Sequence, residues 1–254
     1  MMLRHLPLAL ALPLFTSCTS HLGNAWHDGD WVVDGTHLEH ERDVVLPIEA
    51  WHANGLSVDM AAGTFELIGD ATEDRIELAL REIEPGDASA AYVDGAIVLT
   101  SRSDEPAAIA EMRVYCTSSL AQLVVHNGAG DVIVRDQSIA GRCELELGAG
   151  DLELDELVVA GLTKLDCGVG SLDARDCELA NVQMECGMGD LRLERVNARE
   201  ANLEVGMGTI RLLDSELVHL SAETGMGDVR ASGVRSERRH LDSGMGSVTF
   251  EALP

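Results

Sequence analysis

Six acidic residues recur at one position: Glu146, Asp166, Glu185, Glu204, Glu223 and Asp242 each stand two residues ahead of a Gly-x-Gly pair. If equivalent residues stack, their carboxylates line one outer face at about 4.8 Å, the spacing of neighbouring strands. Like charges that close repel unless a cation intervenes, and calcium, which takes several carboxylate oxygens, is the ion such a column would hold. Arginines would serve as well, and Arg192, Arg211 and Arg230 recur as their own column beyond the glycines. The acids are therefore a candidate cation- or partner-binding column, with Ca2+ as its candidate cofactor. The plainer reading is a solvated acidic face that keeps a sheet soluble.

Other residues able to do chemistry are less well arranged. Met188, Met207, Met226 and Met245 form a thioether column of the kind a soft ion favours. No histidine accompanies them in the same copies, so they are expected to pack against one another at a corner. Cys143, Cys167, Cys177 and Cys186 fall at inward positions of the apolar alternation, and Cys167 and Cys186 occupy equivalent places in adjacent copies, close enough for a disulfide. They are expected to be buried small hydrophobes. Histidines His21, His27, His37, His40 and His52 gather near the start with all three tryptophans, but their spacing fits no tight metal-ligand pattern. No catalytic residue is assigned.

The elements that must hold these columns follow from the glycines. The pairs are Gly128 and Gly130, Gly148 and Gly150, Gly168 and Gly170, Gly187 and Gly189, Gly206 and Gly208, Gly225 and Gly227, and Gly244 and Gly246. Successive pairs start twenty, twenty and then four times nineteen residues apart. A reaction centre is written once; a seven-fold beat is architecture. Four residues past each first glycine stand Val132, Leu152, Leu172, Leu191, Ile210, Val229 and Val248, and two further on Val134, Leu154, Ala174, Leu193, Leu212, Ala231 and Phe250. Ahead of the pairs the alternation resumes, as in Leu145 and Leu147 or Leu165 and Cys167, while a third apolar pair lies midway, as in Leu157 and Val159. Alternation of period two marks half-buried strands. One such unit cannot bury its apolar side alone, but stacked copies can.

The expected fold is all-β: a single-domain parallel β-solenoid of about 19–20 residues per coil, with irregular N-terminal coils. The glycines are its structural turns, and Asp131, Asp151, Ser171, Asp190, Thr209, Asp228 and Ser247 after them accept hydrogen bonds from nearby turn amides. Residues 128–254 form the regular repeat and residues 46–127 divergent earlier coils. In the latter, Gly63, Thr64, Phe65 and Leu67 match Gly208, Thr209, Ile210 and Leu212; Glu82–Ala91 reads as a loop.

Composition fits. Aromatics are 3%, as a thin core of small aliphatic side chains requires, and the formal net charge is −26, which excludes nucleic acid as an electrostatic partner. Residues 1–17 read as a signal peptide: Arg4 precedes a short apolar run from Leu6 to Phe15. The run ends in Leu14-Phe15-Thr16-Ser17-Cys18, which resembles the lipobox of bacterial lipoproteins. That resemblance implies lipid attachment at Cys18, an acylated tether over 18–45, and, with Thr19 rather than Asp next, the outer membrane. Five cysteines remain beyond it, an odd number that argues against a full disulfide framework.

An exported leader, a divergent strand-rich start and Gly-x-Gly-[Asp/Ser/Thr] copies every twenty residues together resemble the "putative adhesin" family of exported bacterial proteins, a domain of unknown function with GxGD repeats. The similarity covers roughly residues 50–254, with Met between the glycines where the family commonly has a smaller residue. It implies a β-solenoid envelope protein without assigned catalysis. The expectation is thus a non-enzymatic lipoprotein of the bacterial cell envelope, anchored in the lipid bilayer through Cys18, whose solenoid offers a binding or structural surface to an envelope protein or glycan. The alternative is a calcium-assisted polysaccharide lyase or hydrolase on a β-helix, with Arg211 as base. Against it stand the even repeat spacing and the lack of Trp and Tyr platforms in the repeats.

Overall fold

The alternation on either side of each glycine pair becomes two strands that face each other across one core. In the computed structural model, which describes residues 31–33, 35–102 and 105–252, a long strand leads into each corner and a short strand leaves it. A central coil shows the plan, with Glu178–Met188 entering the corner and Leu191–Glu194 leaving it. Its long strand pairs in parallel with Val158–Val169 on one side and Asn197–Met207 on the other. Among the described residues this stacking yields an eleven-stranded sheet of mostly long strands, an eleven-stranded sheet of mostly short ones, and a ribbon of Val32–Val33 with Thr36–His37. The fold is an all-β parallel solenoid with coils of twenty and then nineteen residues, as Leu152, Leu172 and Leu191 pair in succession.

The inward columns follow the sequence alignment up to the last coil, where Val248 is exposed. Val132, Leu152, Leu172, Leu191, Ile210 and Val229 pair rung by rung and are fully buried or nearly so. Burying each such side chain contributes about 1.5–3 kcal/mol. The midway apolar pair makes no strand of its own in the later coils. It merges with the pre-corner alternation into one strand of 11 or 12 residues, with a register shift between Val159 and Leu162.

Toward the N-terminus, Leu56–Met60 and Thr64–Ile68 form one more coil, in which Phe65 and Leu67 pair with Val132 and Val134. Beyond it the pairing direction reverses. Arg75–Glu82 runs antiparallel to both Ala108–Tyr115 and His40–Pro47, and Ala88–Val93 forms an antiparallel hairpin with Ala96–Ser101. The stretch expected as a loop is thus strand from Ala88 onward. Likewise His40–Pro47 reaches back into the segment read as tether, because Val44 and Leu46 pack on the core against the face that Ile76, Leu78 and Leu80 bury. Glu82 ties this end together. It is 1% exposed and accepts hydrogen bonds from Arg42 Nε at 2.9 Å and from the amides of Gly86 and Ala88 at 2.8 and 2.9 Å. The signal segment and Cys18 lie outside the described residues.

Candidate functional site

Parallel pairing without slippage brings the six acids into one file. Glu146 pairs with Asp166, Asp166 with Glu185, Glu185 with Glu204, Glu204 with Glu223, and Glu223 with Asp242. The column continues past Glu146 to His126 and Asp59. There basic side chains approach it: His126 Nδ1 lies 2.8 Å from Asp59 and its Nε2 3.7 Å from Glu146, while Lys164 Nζ lies 3.4 Å from Glu146. At the far end His240 Nε2 is 3.6 Å from Glu223. Between them, no ion pair among the described residues reaches Glu185 or Glu204. The expected arginine compensation is not made. Arg211 and Arg230 sit on the short-strand sheet and bond Asp190 and Asp228, each at 2.6 Å, and Arg192 bonds Glu194.

A line of carboxylates one rung apart is not a cage. Among the described residues, no group of three or more His, Cys, Asp or Glu side chains is placed to hold a metal ion. Arg211, the base of the enzyme alternative, is likewise held on the other sheet, away from the acids.

The cysteines are buried, and all five that are described are unbridged. Burial pushes the thiols of Cys116 and Cys143 up to about 12 and that of Cys177 to about 11. Cys167 and Cys186 face each other across one rung. Each also points its sulfur at a corner, Cys167 Sγ lying 3.6 Å from the Gly150 carbonyl and Cys186 Sγ 3.4 Å from that of Gly170. Thr224 and Ser243, one and two places on from Val205 in the same column, donate to Gly208 and Gly227 in the same way.

The methionines stack in register at the corner, Met188 with Met207, Met226 and Met245, and are 42–65% exposed. The inward alternation of the long strand ends at Cys186. The second glycine then redirects the chain so that Leu191 resumes it, leaving Met188 on the outside of the bend. Gly189 makes that redirection with a φ of +144°, and a Cβ there would lie 1.7 Å from the Gly170 oxygen. The polar residue that follows acts across coils rather than within its own turn. Asp190 Oδ1 accepts the Thr209 amide at 2.9 Å, and Asp228 Oδ1 the Ser247 amide at 2.9 Å.

Two features escaped the sequence reading. One is the pair of basic side chains at the acid column, His126 within it and Lys164 two residues ahead of Asp166, each visible once the register is known. The other is the opposite corner of each coil, where Asp136, Glu156, Asp176, Arg195 and Asp214 hold φ near +50° and Gly233 a φ of +67°. Only Gly233 and the aspartates hint at a left-handed turn; Glu156 and Arg195 do not. Two of the early tryptophans are also more than tether, while Trp26, His21 and His27 lie outside the described residues. Trp31 is buried, and Trp51 Nε1 donates to Asp74 at 3.0 Å.

The family model of the Toastrack DUF4097 domain matches residues 110–252 of the chain. Among solved structures, a "putative adhesin" from Parabacteroides distasonis ATCC 8503 is similar over 82% of this chain and 96% of its own, with a TM-score of 0.45 and 10% identity. A "putative adhesin" from Bacteroides fragilis NCTC 9343 aligns over 84% and 97%, with a TM-score of 0.44 and 8% identity. A "putative lipid binding protein" from Parabacteroides distasonis aligns over 83% and 94%, with a TM-score of 0.41 and 15% identity. No curated protein sequence matches the chain.

Proposed function

The chain belongs to the Toastrack DUF4097 family, and from that premise we propose that it is a non-enzymatic lipoprotein of a bacterial cell envelope, held by an acylated Cys18, whose solenoid serves as a binding and structural surface. A fold does not name a function; the surface must carry the reading. The observation that carries it is the parallel register that runs from coil to coil between Leu123 and Ala252, interrupted only by short shifts at Val159/Leu162 and Ser232/Val234, in which successive coils repeat outward columns with no insertion long enough to wall off a cleft. The short-strand sheet has a shallow hollow of about 400 Å³ beside Arg211, Arg230 and Phe250. Its arginines are already engaged by Asp190 and Asp228. An outward face of repeated, fixed side chains suits recognition by area rather than turnover of a small substrate.

The test is metabolic labelling of a bacterial host with an alkyne fatty acid. The wild-type chain is expected to take up label and fractionate with membranes, and Cys18→Ser to do neither. Unlabelled wild-type chain would overturn the anchor. Release of reducing ends from added polysaccharide by the full chain would overturn the non-enzymatic reading.

A further inference from the structure

The apolar corner stripe does not begin at the methionines. Register carries it from Ala129 and Ala149 through Val169 to Met188 and beyond. At its first end the chain covers the stripe itself. Trp31 and Leu38 are 7% and 3% exposed and cluster with Ala62, Ala108 and Ala129. From Val169 onward it has no such cover among the described residues, and Val169 is 47% exposed. Beside it runs the column of first glycines, exposed and without side chains, and beyond that the acid column. The glycine file, which has no side chains, thus runs between a thioether file and a carboxylate file. Asp166, Glu185, Glu204 and Asp242 have no ion pair among the described residues, and Glu185 and Glu204 stand beside Met188 and Met207.

The geometry points to the strip from Val169 to Met245 as the docking face for a cationic amphipathic helix of a partner protein, with its apolar residues on the methionines and its Lys or Arg over Glu185, Glu204 and Glu223. The covered end shows that apolar side chains seat on this stripe, and the exposed end offers flexible, polarizable methionines that adapt to them. Five rungs at about 4.8 Å span roughly 19 Å, the length of about 13 helical residues. Apolar residues at i, i+3 and i+7 rise about 4.5 and 10.5 Å, close to one and two rungs. The net charge of −26 steers cations toward the chain, and the unpaired carboxylates give them a place to settle. The assignment rests on the reading of the solenoid as a non-catalytic binding surface.

The probe is a fluorescein-labelled 14-residue peptide with Leu at helical spacing and Lys elsewhere, titrated against the full chain by anisotropy in about 0.15 M salt. Saturable binding is expected, weakened at least tenfold in Met207→Ser with Met226→Ser, and at least tenfold in Glu204→Gln with Glu223→Gln. Glu153→Gln on the short-strand sheet is expected to bind as wild type, with all variants melting as wild type. Absent binding, unchanged binding in both double variants, or equal binding of a scrambled peptide of the same composition would overturn the assignment. So would self-association that the methionine variants abolish, since the occupant would then be a second copy. Reducing-end release from polysaccharide by the same sample would overturn the underlying surface reading. Failed peptide binding without such release overturns the docking face alone.

Discussion

The Cys186 sulfur lies 3.4 Å from the carbonyl oxygen of Gly170, one coil back. Thr224 and Ser243 make the same contact to Gly208 and Gly227 with hydroxyls. This inward position is therefore a weak donor site that a thiol or hydroxyl fills. Cys186→Thr is expected to shift stability by less than about 1 kcal/mol, because Thr224 already makes this contact. Thermal denaturation reads it directly. In the Cys18→Ser background, Cys116, Cys143 and Cys177 are expected to resist maleimide until the chain unfolds, since burial raises all three thiols well above the ordinary range.

The Gly-Met-Gly corner separates backbone need from surface role. A Cβ at Gly189 meets the Gly170 oxygen at 1.7 Å and imposes a φ of +144° on an L residue. At Gly187 the nearest approach is 2.5 Å, without the positive φ. Gly189→Ala is expected to cost more than about 4 kcal/mol, Gly187→Ala less, and Met188→Ala within about 0.5 kcal/mol. Urea midpoints of the three variants check the order.

Glu156 is the weak point of the opposite corner. It holds a φ of +52°, and its carboxyl is raised above the ordinary range chiefly by the Asp136 charge beside it. Both effects disfavour the native state. Glu156→Gly is expected to raise the melting temperature by a few degrees at pH 7. The gain shrinks as pH falls through the raised value, because protonation removes the repulsion while the backbone part persists. A gain independent of pH would assign it to the backbone alone.

Glu82 has the opposite sign. Burial works to raise its pKa, but Arg42 and the amides of Gly86 and Ala88 outweigh it and hold the carboxyl at about 2 against an ordinary 4.5. A depressed acid contributes stability above its unfolded value and loses it as pH falls toward the folded one. The contribution at pH 7 is about 3 kcal/mol. Glu82→Gln is expected to lose most of it and to flatten the fall in stability between pH 4.5 and 2.

Calcium is expected to do no more than magnesium. The acids stand one rung apart in a file, and no trio of ligating side chains gathers among the described residues. Equal millimolar concentrations of the two ions are expected to give equal melting shifts by screening alone. A larger shift with calcium would restore the ion site.

The sequence carried the solenoid because its signal is periodic. Once Gly187, Gly206 and Gly225 repeat, the inward column of Leu191, Ile210 and Val229 and the outward file of Glu185, Glu204 and Glu223 follow from alternation. The antiparallel cap was illegible for the reciprocal reason. Arg75–Glu82 and His40–Pro47 alternate as strands, yet nothing repeats to say which neighbour they pair with or in which direction. The exposure of the methionines was not legible, because alternation assigns a side only up to the corner, where a φ of +144° at Gly189 ends it. Arg211 lay in its predicted column but turned to Asp190, a choice made by reach and not by spacing.

Methionine oxidation footprinting tests the binding-surface reading most directly. The full chain would be pulsed with peroxide as purified protein and within intact envelopes, and each methionine followed by mass spectrometry. Met188, Met207, Met226 and Met245 are expected to oxidise rapidly in the purified protein and to be protected in the envelope, with buried Met112 and Met184 slow in both. Equal oxidation of the four corner methionines in both settings would contradict the assignment of that face to a partner.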